Sequence, residues 1–143
     1  MAPAYPATLY EPVPLVDLSA KAERERLSPS AIKAFLNIMQ RWGVRDENAR
    51  ALLGGMSNGQ FYAMKKRPER TLDADTLTRI SLLVGIFKAL NILYSQELAD
   101  AWVQRSNQNR IFSGETPLAY MTKGGLPAMQ IVRRLLDARR GGM

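Results

Sequence analysis

The sequence predicts an all-α protein, and three observations carry that expectation. Apolar residues recur at three- and four-residue spacing along most of the chain, as in helices with one buried face. Capping signals stand at the starts of these runs and glycines at several of their ends. No segment alternates apolar and polar residues with period two over a useful length, so no sheet is expected, and there is no internal repeat.

Residues 1–27 read as an extended, proline-rich N-terminal arm. Pro3, Pro6, Pro12 and Pro14 are interleaved with Tyr5, Leu9, Tyr10 and Val13. Proline lacks the amide proton that a regular helix or central strand needs, and the apolar residues between imply that the arm lies on something. Lys21 to Arg26 form a short charged approach. Ser28-Pro29 then pairs an N-cap with proline at the first helical position, so the first helix is expected to begin there. Ile32, Phe35, Leu36, Met39 and Trp42 make its apolar face, and Gly43 ends it. Asp46 opens a short helix with Ala49, Leu52 and Leu53 inward, broken by Gly54-Gly55. Ser57 and Gln60 form a capping box for a third helix, which runs to about Lys66 and is stopped by Pro68.

Asp73 opens what the spacing makes the longest helix, from about Ala74 to Tyr94. Leu77, Ile80 and Val84 mark one face and Leu83, Ile86, Leu90 and Leu93 another, so it is expected to be buried from several sides. Gly85 and Ala89 leave room for a neighbour to approach closely. Ser95 caps a further helix through Leu98, Ala99, Trp102 and Val103, and an irregular polar stretch, Arg105 to Gly114, follows. Thr116-Pro117 starts a short helix that Gly124-Gly125 ends. Pro127 begins the last helix, with Ile131, Leu135 and Val132 expected inward.

Chemistry is bounded by what is missing. The chain of 143 residues holds no cysteine and no histidine. Disulfides, thiolate metal sites, the commonest zinc ligand and the usual neutral-pH base are therefore excluded. A binding protein is expected rather than an enzyme, with no catalytic residue, metal or cofactor. Glu97 and Asp100 come nearest to paired carboxylates, but behind Ser95 they more simply suit a helix N-terminus. Twenty Lys+Arg against thirteen Asp+Glu give a net charge of +7. Such a balance attracts nucleic acid, and equally anionic membranes and acidic proteins. No leader is visible, and the apolar run Ile80 to Phe87 between Arg79 and Lys88 is too short to span a bilayer. A cytoplasmic protein without a membrane partner is expected.

The three helices from Ser28 to Lys66 describe a helix-turn-helix, whose second member lies in the DNA major groove. With Phe61 and Met64 inward, Asn58, Tyr62, Ala63, Lys65 and Lys66 face out. Asn58 sits at the helix N-terminus, where its amide can read adenine. Lys65, Lys66, Arg67 and Arg70 suit phosphate contacts. The DNA-binding candidates are thus Asn58, Tyr62, Lys65, Lys66, Arg67 and Arg70. The same basic cluster also suits a solvated helix end, because cations are favoured at a helix C-terminus.

Residues Ser28 to about Tyr94 resemble the Xre-type helix-turn-helix of bacterial regulators. Beyond them stand Trp102, Asn107, Phe112, Gly114, Pro117, Leu118, Met121 and Gly124, in the run W-x4-N-x4-F-x-G-x2-P-L-x2-M-x2-G. This run resembles the toxin-binding domain of the Xre/MbcA/ParS antitoxin family. The resemblance implies an Xre-like helix-turn-helix domain over 28–94 followed by a small helical toxin-binding domain over 95–143. It implies a type II antitoxin that covers the active site of a RES-domain toxin, an NAD-consuming enzyme, and binds its own promoter as a homodimer or a larger hetero-oligomer. A stand-alone regulator without a toxin is the alternative. Trp102, Phe112, Leu118 and Met121 read as core, with Gly114 and Gly124 supplying turns. The toxin contact is sought instead at Arg133, Arg134, Arg139, Arg140, Gly141, Gly142 and Met143, a stretch that also reads as a frayed basic tail. Gly59, inside the recognition helix, costs roughly 1 kcal/mol relative to alanine and permits close backbone approach to DNA.

Overall fold

In the computed structural model the described residues are 16–141. They form six α-helices: α1 Lys21–Trp42, α2 Asp46–Leu52, α3 Asn58–Lys66, α4 Ala74–Leu93, α5 Gln96–Ala101 and α6 Pro117–Arg140. Short 3₁₀ turns at Trp102–Gln104 and Arg110–Phe112 lie between the last two. No strand occurs among the described residues. The prolines expected to define an extended arm, Pro3 to Pro14, fall outside them.

The first helix begins at Lys21, seven residues before the Ser28-Pro29 signal. Upstream of it, Asp17 accepts the Ser19 amide, and the Arg24 guanidinium donates to the carbonyls of Leu18 and Ser19 at 2.8 and 3.0 Å. Lys21 to Leu27 are therefore helical and not an approach. Pro29 sits inside α1, where the carbonyl it leaves free belongs to exposed Glu25 and can be hydrated. Ser28 is fully buried. Its Oγ donates to the Arg24 carbonyl at 2.6 Å and accepts the Leu72 amide at 2.9 Å. A serine-proline pair looks the same whether the chain enters a helix or passes through one, and here the hydroxyl serves a neighbouring segment.

Three other starts form as expected. Asp73 accepts the Thr76 amide at 2.7 Å, Thr116 the Ala119 amide at 3.1 Å, and Ser57 the Gln60 amide at 3.1 Å. Ser95 occupies the N-cap position of α5 but makes no side-chain cap bond. Helix α4 packs most extensively on α6 and next on α1, burying Leu77, Ile80, Leu83, Ile86, Ala89 and Leu90. It is long and apolar enough to cross a membrane by length and composition alone. Within this fold the two flanking helices occupy its apolar faces. At 20 residues it is shorter than the 22 of α1, because α1 absorbs the charged approach.

Gly125, at φ 66°, breaks α6 into the two segments expected on either side of the glycine pair. The turn is made by Gly125 and not by Gly124, where an added Cβ would meet that of Ala128 at 2.6 Å. Past the break the buried side chains are Ala128, Met129, Val132 and Leu136, with Ile131 and Leu135 only half-buried. Val132 is inward as expected, and the buried face is centred one residue beyond Ile131 and Leu135. Phe112 anchors the C-terminal half edge-on to Trp102 and Tyr120, with ring centroids 6.0 and 5.2 Å away. Leu118 and Met121 are buried beside it, and the core is continuous from α1 to the end of α6.

Candidate nucleic-acid and partner interfaces

Helix α3 is held by a short turn and a dry inner face. Gly54 and Gly55 both take left-handed conformations, at φ 86° and 84°, which lets α2 end and the chain reverse within a few residues. The reciprocal capping bond, from the Ser57 amide to Gln60 Oε1, measures 3.4 Å. Phe61 and Met64 are buried, so the register of α3 is fixed and its other side faces solvent.

That outer side carries the predicted set. Asn58, Tyr62, Lys65, Lys66, Arg67 and Arg70 are all exposed, Tyr62 by 59%. Tyr62, Lys66, Arg67 and Arg70 line one shallow groove with Ala63, while Asn58 stands at the opposite end of the helix. Two lysines are held by aromatic faces. Lys65 Nζ lies 5.1 Å from the Phe61 ring centre and Lys66 Nζ 5.4 Å from that of Tyr62. Lys65 is also paired with Asp46 Oδ2 at 3.1 Å, which sets it apart from the rest. Among the described residues, no carboxylate pairs with Lys66, Arg67 or Arg70. An added Cβ at Gly59 meets nothing within 4 Å, so no packing demand within the chain explains that glycine.

The basic C-terminal residues divide into two pairs. Arg133 lies across α4: a Cβ built on Gly85 would fall 1.6 Å from its Nη1, and its Nε bonds Asp137 at 3.0 Å. Arg139 reaches the Tyr94 hydroxyl at 3.0 Å. Arg134 and Arg140 are exposed, with Arg140 at 3.8 Å from Asp137. Gly141 ends the helix, its amide bonded to the Asp137 carbonyl. Gly142 and Met143 lie outside the described residues.

Two apolar side chains join this end of the molecule and were missed in the sequence. Ile92 near the end of α4 is 62% exposed, and Leu98 on α5 is 46% exposed. Ile92 falls on neither apolar stripe of α4, and that phase mismatch was its available signal.

The contacts along α4 order these features. Arg79, near its start, lies against Gly54 of the interhelical turn, and Leu72 just before it is tied to Ser28. Gly85 meets Arg133 at mid-length, and Tyr94 at its end meets Arg139. The α2–α3 turn therefore sits at one end of α4 and the close of α6 at the other. Twenty residues of helix separate them by about 30 Å.

Comparison with known proteins follows the same division. The model of a family described as the antitoxin Xre-like helix-turn-helix domain matches residues 20–85. That of the antitoxin Xre/MbcA/ParS C-terminal toxin-binding domain matches residues 88–142. The chain is also similar to the uncharacterized protein y4oB of Sinorhizobium fredii (strain NBRC 101917 / NGR234), at 38% identity over 115 residues, 80% of this chain and 87% of that relative.

Proposed function

The chain belongs to the Xre/MbcA/ParS antitoxins, with an Xre-like helix-turn-helix domain ahead of the toxin-binding domain, and from that premise we propose that it neutralises a RES-domain, NAD-consuming toxin while binding the promoter of its own operon. The observation that carries this reading is the placement of two differently built faces at opposite ends of α4. In the proposal α3 enters the major groove. The Asn58 amide reads a base edge, and Lys66, Arg67 and Arg70 neutralise phosphates. Gly59 lets the backbone come close. A single helix-turn-helix covers one half-site, so a two-fold assembly on a palindromic operator completes the interface.

Towards the other end, Arg140 and, near Leu82, Arg134 offer exposed guanidiniums, and Ile92 and Leu98 are exposed apolar side chains. An arginine pairs bidentately with a carboxylate, the group expected on the catalytic rim of an ADP-ribosyltransferase-like toxin. In the sequence, Gly141 and Gly142 follow the last arginines and add no side-chain bulk beside them. The antitoxin itself does no chemistry in this scheme, and both partners place it in the cytoplasm.

One experiment tests both faces. In the Lys66→Ala/Arg67→Ala/Arg70→Ala variant, gel shifts should show affinity falling for specific and random DNA alike. The log–log salt slope should flatten by about 2.7 for three lost phosphate contacts. The same variant should still block NAD loss by the toxin. The Arg134→Ala/Arg140→Ala variant should show the converse, keeping DNA binding but failing to protect NAD. Unchanged DNA affinity in the first variant, or full protection by the second, would overturn the assignment of the respective face.

A further inference from the structure

Helix α3 carries two aromatic side chains side by side and treats them oppositely. Phe61 is buried in the core, whereas Tyr62 is 59% exposed on the outer face. A ring left in water contributes little to the fold, because most of its apolar area stays wetted. Its one close companion is Lys66, whose Nζ lies over the ring, 5.4 Å from its centre.

The surface around Tyr62 is small in relief and basic in charge. Gly59, three residues before it, has no side chain, and a Cβ there would meet nothing within 4 Å. Tyr62 and Ala63 give the shallow groove its apolar part, and Lys66, Arg67 and Arg70 complete its lining. These three cations have no carboxylate partner among the described residues, so the ring stands in a positive field. An apolar centre among unpaired cations fits a polyanion that offers an apolar group between its phosphates. Duplex DNA has such a group in its major groove. The base edges there present hydrogen-bond donors and acceptors, and the thymine C5 methyl is the apolar feature among them.

We propose that Tyr62 is a specificity-determining residue of the DNA interface, its ring packing on the C5 methyl of a thymine in the major groove. The inference rests on the placement of α3 in that groove under the proposed function, and deepens it. Asn58 and Tyr62 stand four residues apart on one side of α3. Four residues rise about 6 Å, close to two base-pair steps of about 3.4 Å. The thymine therefore lies about two base pairs from the base whose edge Asn58 reads. Lys66 steadies the ring from one face, so less side-chain freedom is lost on binding.

The test removes the methyl and nothing else. The full-length chain selects its preferred sites from a pool of random duplexes, and each thymine of the selected site is then replaced singly by deoxyuridine. For the parent chain one thymine per half-site should respond, its replacement weakening binding about four-fold, the weight of one buried methyl-sized group. Tyr62→Ala should bind the selected thymine site about four-fold more weakly than the parent and should respond no further to deoxyuridine at that position. Tyr62→Phe should restore the response. Circular dichroism checks that both variants retain their helix content. A parent chain for which no thymine responds, or a Tyr62→Ala chain that responds as the parent does, would overturn the assignment of Tyr62 while leaving α3 as the DNA-binding helix. A Tyr62→Phe chain as weak as Tyr62→Ala on every sequence would also overturn it, by placing the hydroxyl on a phosphate. A parent chain that selects no site would instead remove the DNA reading itself, and this inference with it.

Discussion

Ser28 offers a test of the structure at the point where its sequence is most misleading. Its Oγ bridges the Arg24 carbonyl and the Leu72 amide in a site with no solvent exposure. Replacing it with alanine strands the Leu72 amide, at a cost of roughly 1–3 kcal/mol. Better helix propensity returns at most about 0.7 kcal/mol. The net loss is then about 1–2 kcal/mol, read as a lower urea midpoint at unchanged m, and with m near 1–3 kcal/mol per molar the shift is of order 0.5–1 M. Loss of an ordinary N-cap would cost a similar amount, so Ser28→Ala alone does not separate the two readings. Ser28→Asp does. Aspartate is as good a cap as serine, and a helix starting at Ser28 would keep its stability. In the buried bridge the carboxylate faces a carbonyl oxygen without water, and several kcal/mol are lost. A Ser28→Asp chain as stable as the parent would refute the reasoning, and with it the tie between α1 and the segment that leads from α3 into α4.

Two further outcomes follow from α4. Hydrogen bonding from Thr76 holds the Asp73 carboxyl below its ordinary value of 3.8, so its capping contribution is fully present above that pH and is lost as pH falls through the lowered folded value. Asp73→Ala should cost about 1 kcal/mol at neutral pH, and urea melts at decreasing pH should show that gap closing. A gap that widened on acidification would contradict the sign. Gly85→Ala places a methyl where the Arg133 guanidinium lies. Because that guanidinium is the end of a flexible side chain and alanine favours helix by about 1 kcal/mol, overall stability should barely change. A double-mutant cycle with Arg133→Ala should nonetheless show coupling of at least about 0.5 kcal/mol, and strict additivity would mean that Arg133 does not rest on Gly85.

Elements whose determinants are local in sequence could be read directly. The capping box at Ser57, the cap at Asp73, the left-handed glycines after α2 and the inward Phe61 and Met64 each depend on residues within one or two turns. The outward set on α3 followed from them. Features that depend on distant partners could not be read this way. Nothing near Ser28 announces that its hydroxyl will serve Leu72, and which side of the last helix faces inward depends on how it packs against α4. The C-terminal arginines are alike in sequence but not in space. Arg133 and Arg139 are drawn onto α4 by Gly85 and Tyr94, which lie 48 and 45 residues earlier, and only Arg134 and Arg140 remain exposed.

The same long-range ties bear on how the two ends can communicate. At the α3 end, α1 is joined to Leu72 through Ser28. Farther along, Arg41 pairs with Asp100 at 3.0 Å, both side chains being half-buried, and Gln104 donates to the carbonyls at the close of α1, those of Trp42 and the capping Gly43, at 2.9 and 2.8 Å. Those carbonyls have no partner within the helix itself, so Gln104 closes the end of α1 with a residue from the toxin-binding segment. Helices α1 and α4 thus both run from the helix-turn-helix into that segment and are pinned at each end. A hinge between the two recognition faces would have to break these bonds and open a continuous apolar core. In the proposed scheme, toxin binding at the α6 end would therefore reach DNA through how assembled copies space their α3 helices, and not through movement of one half of the chain against the other.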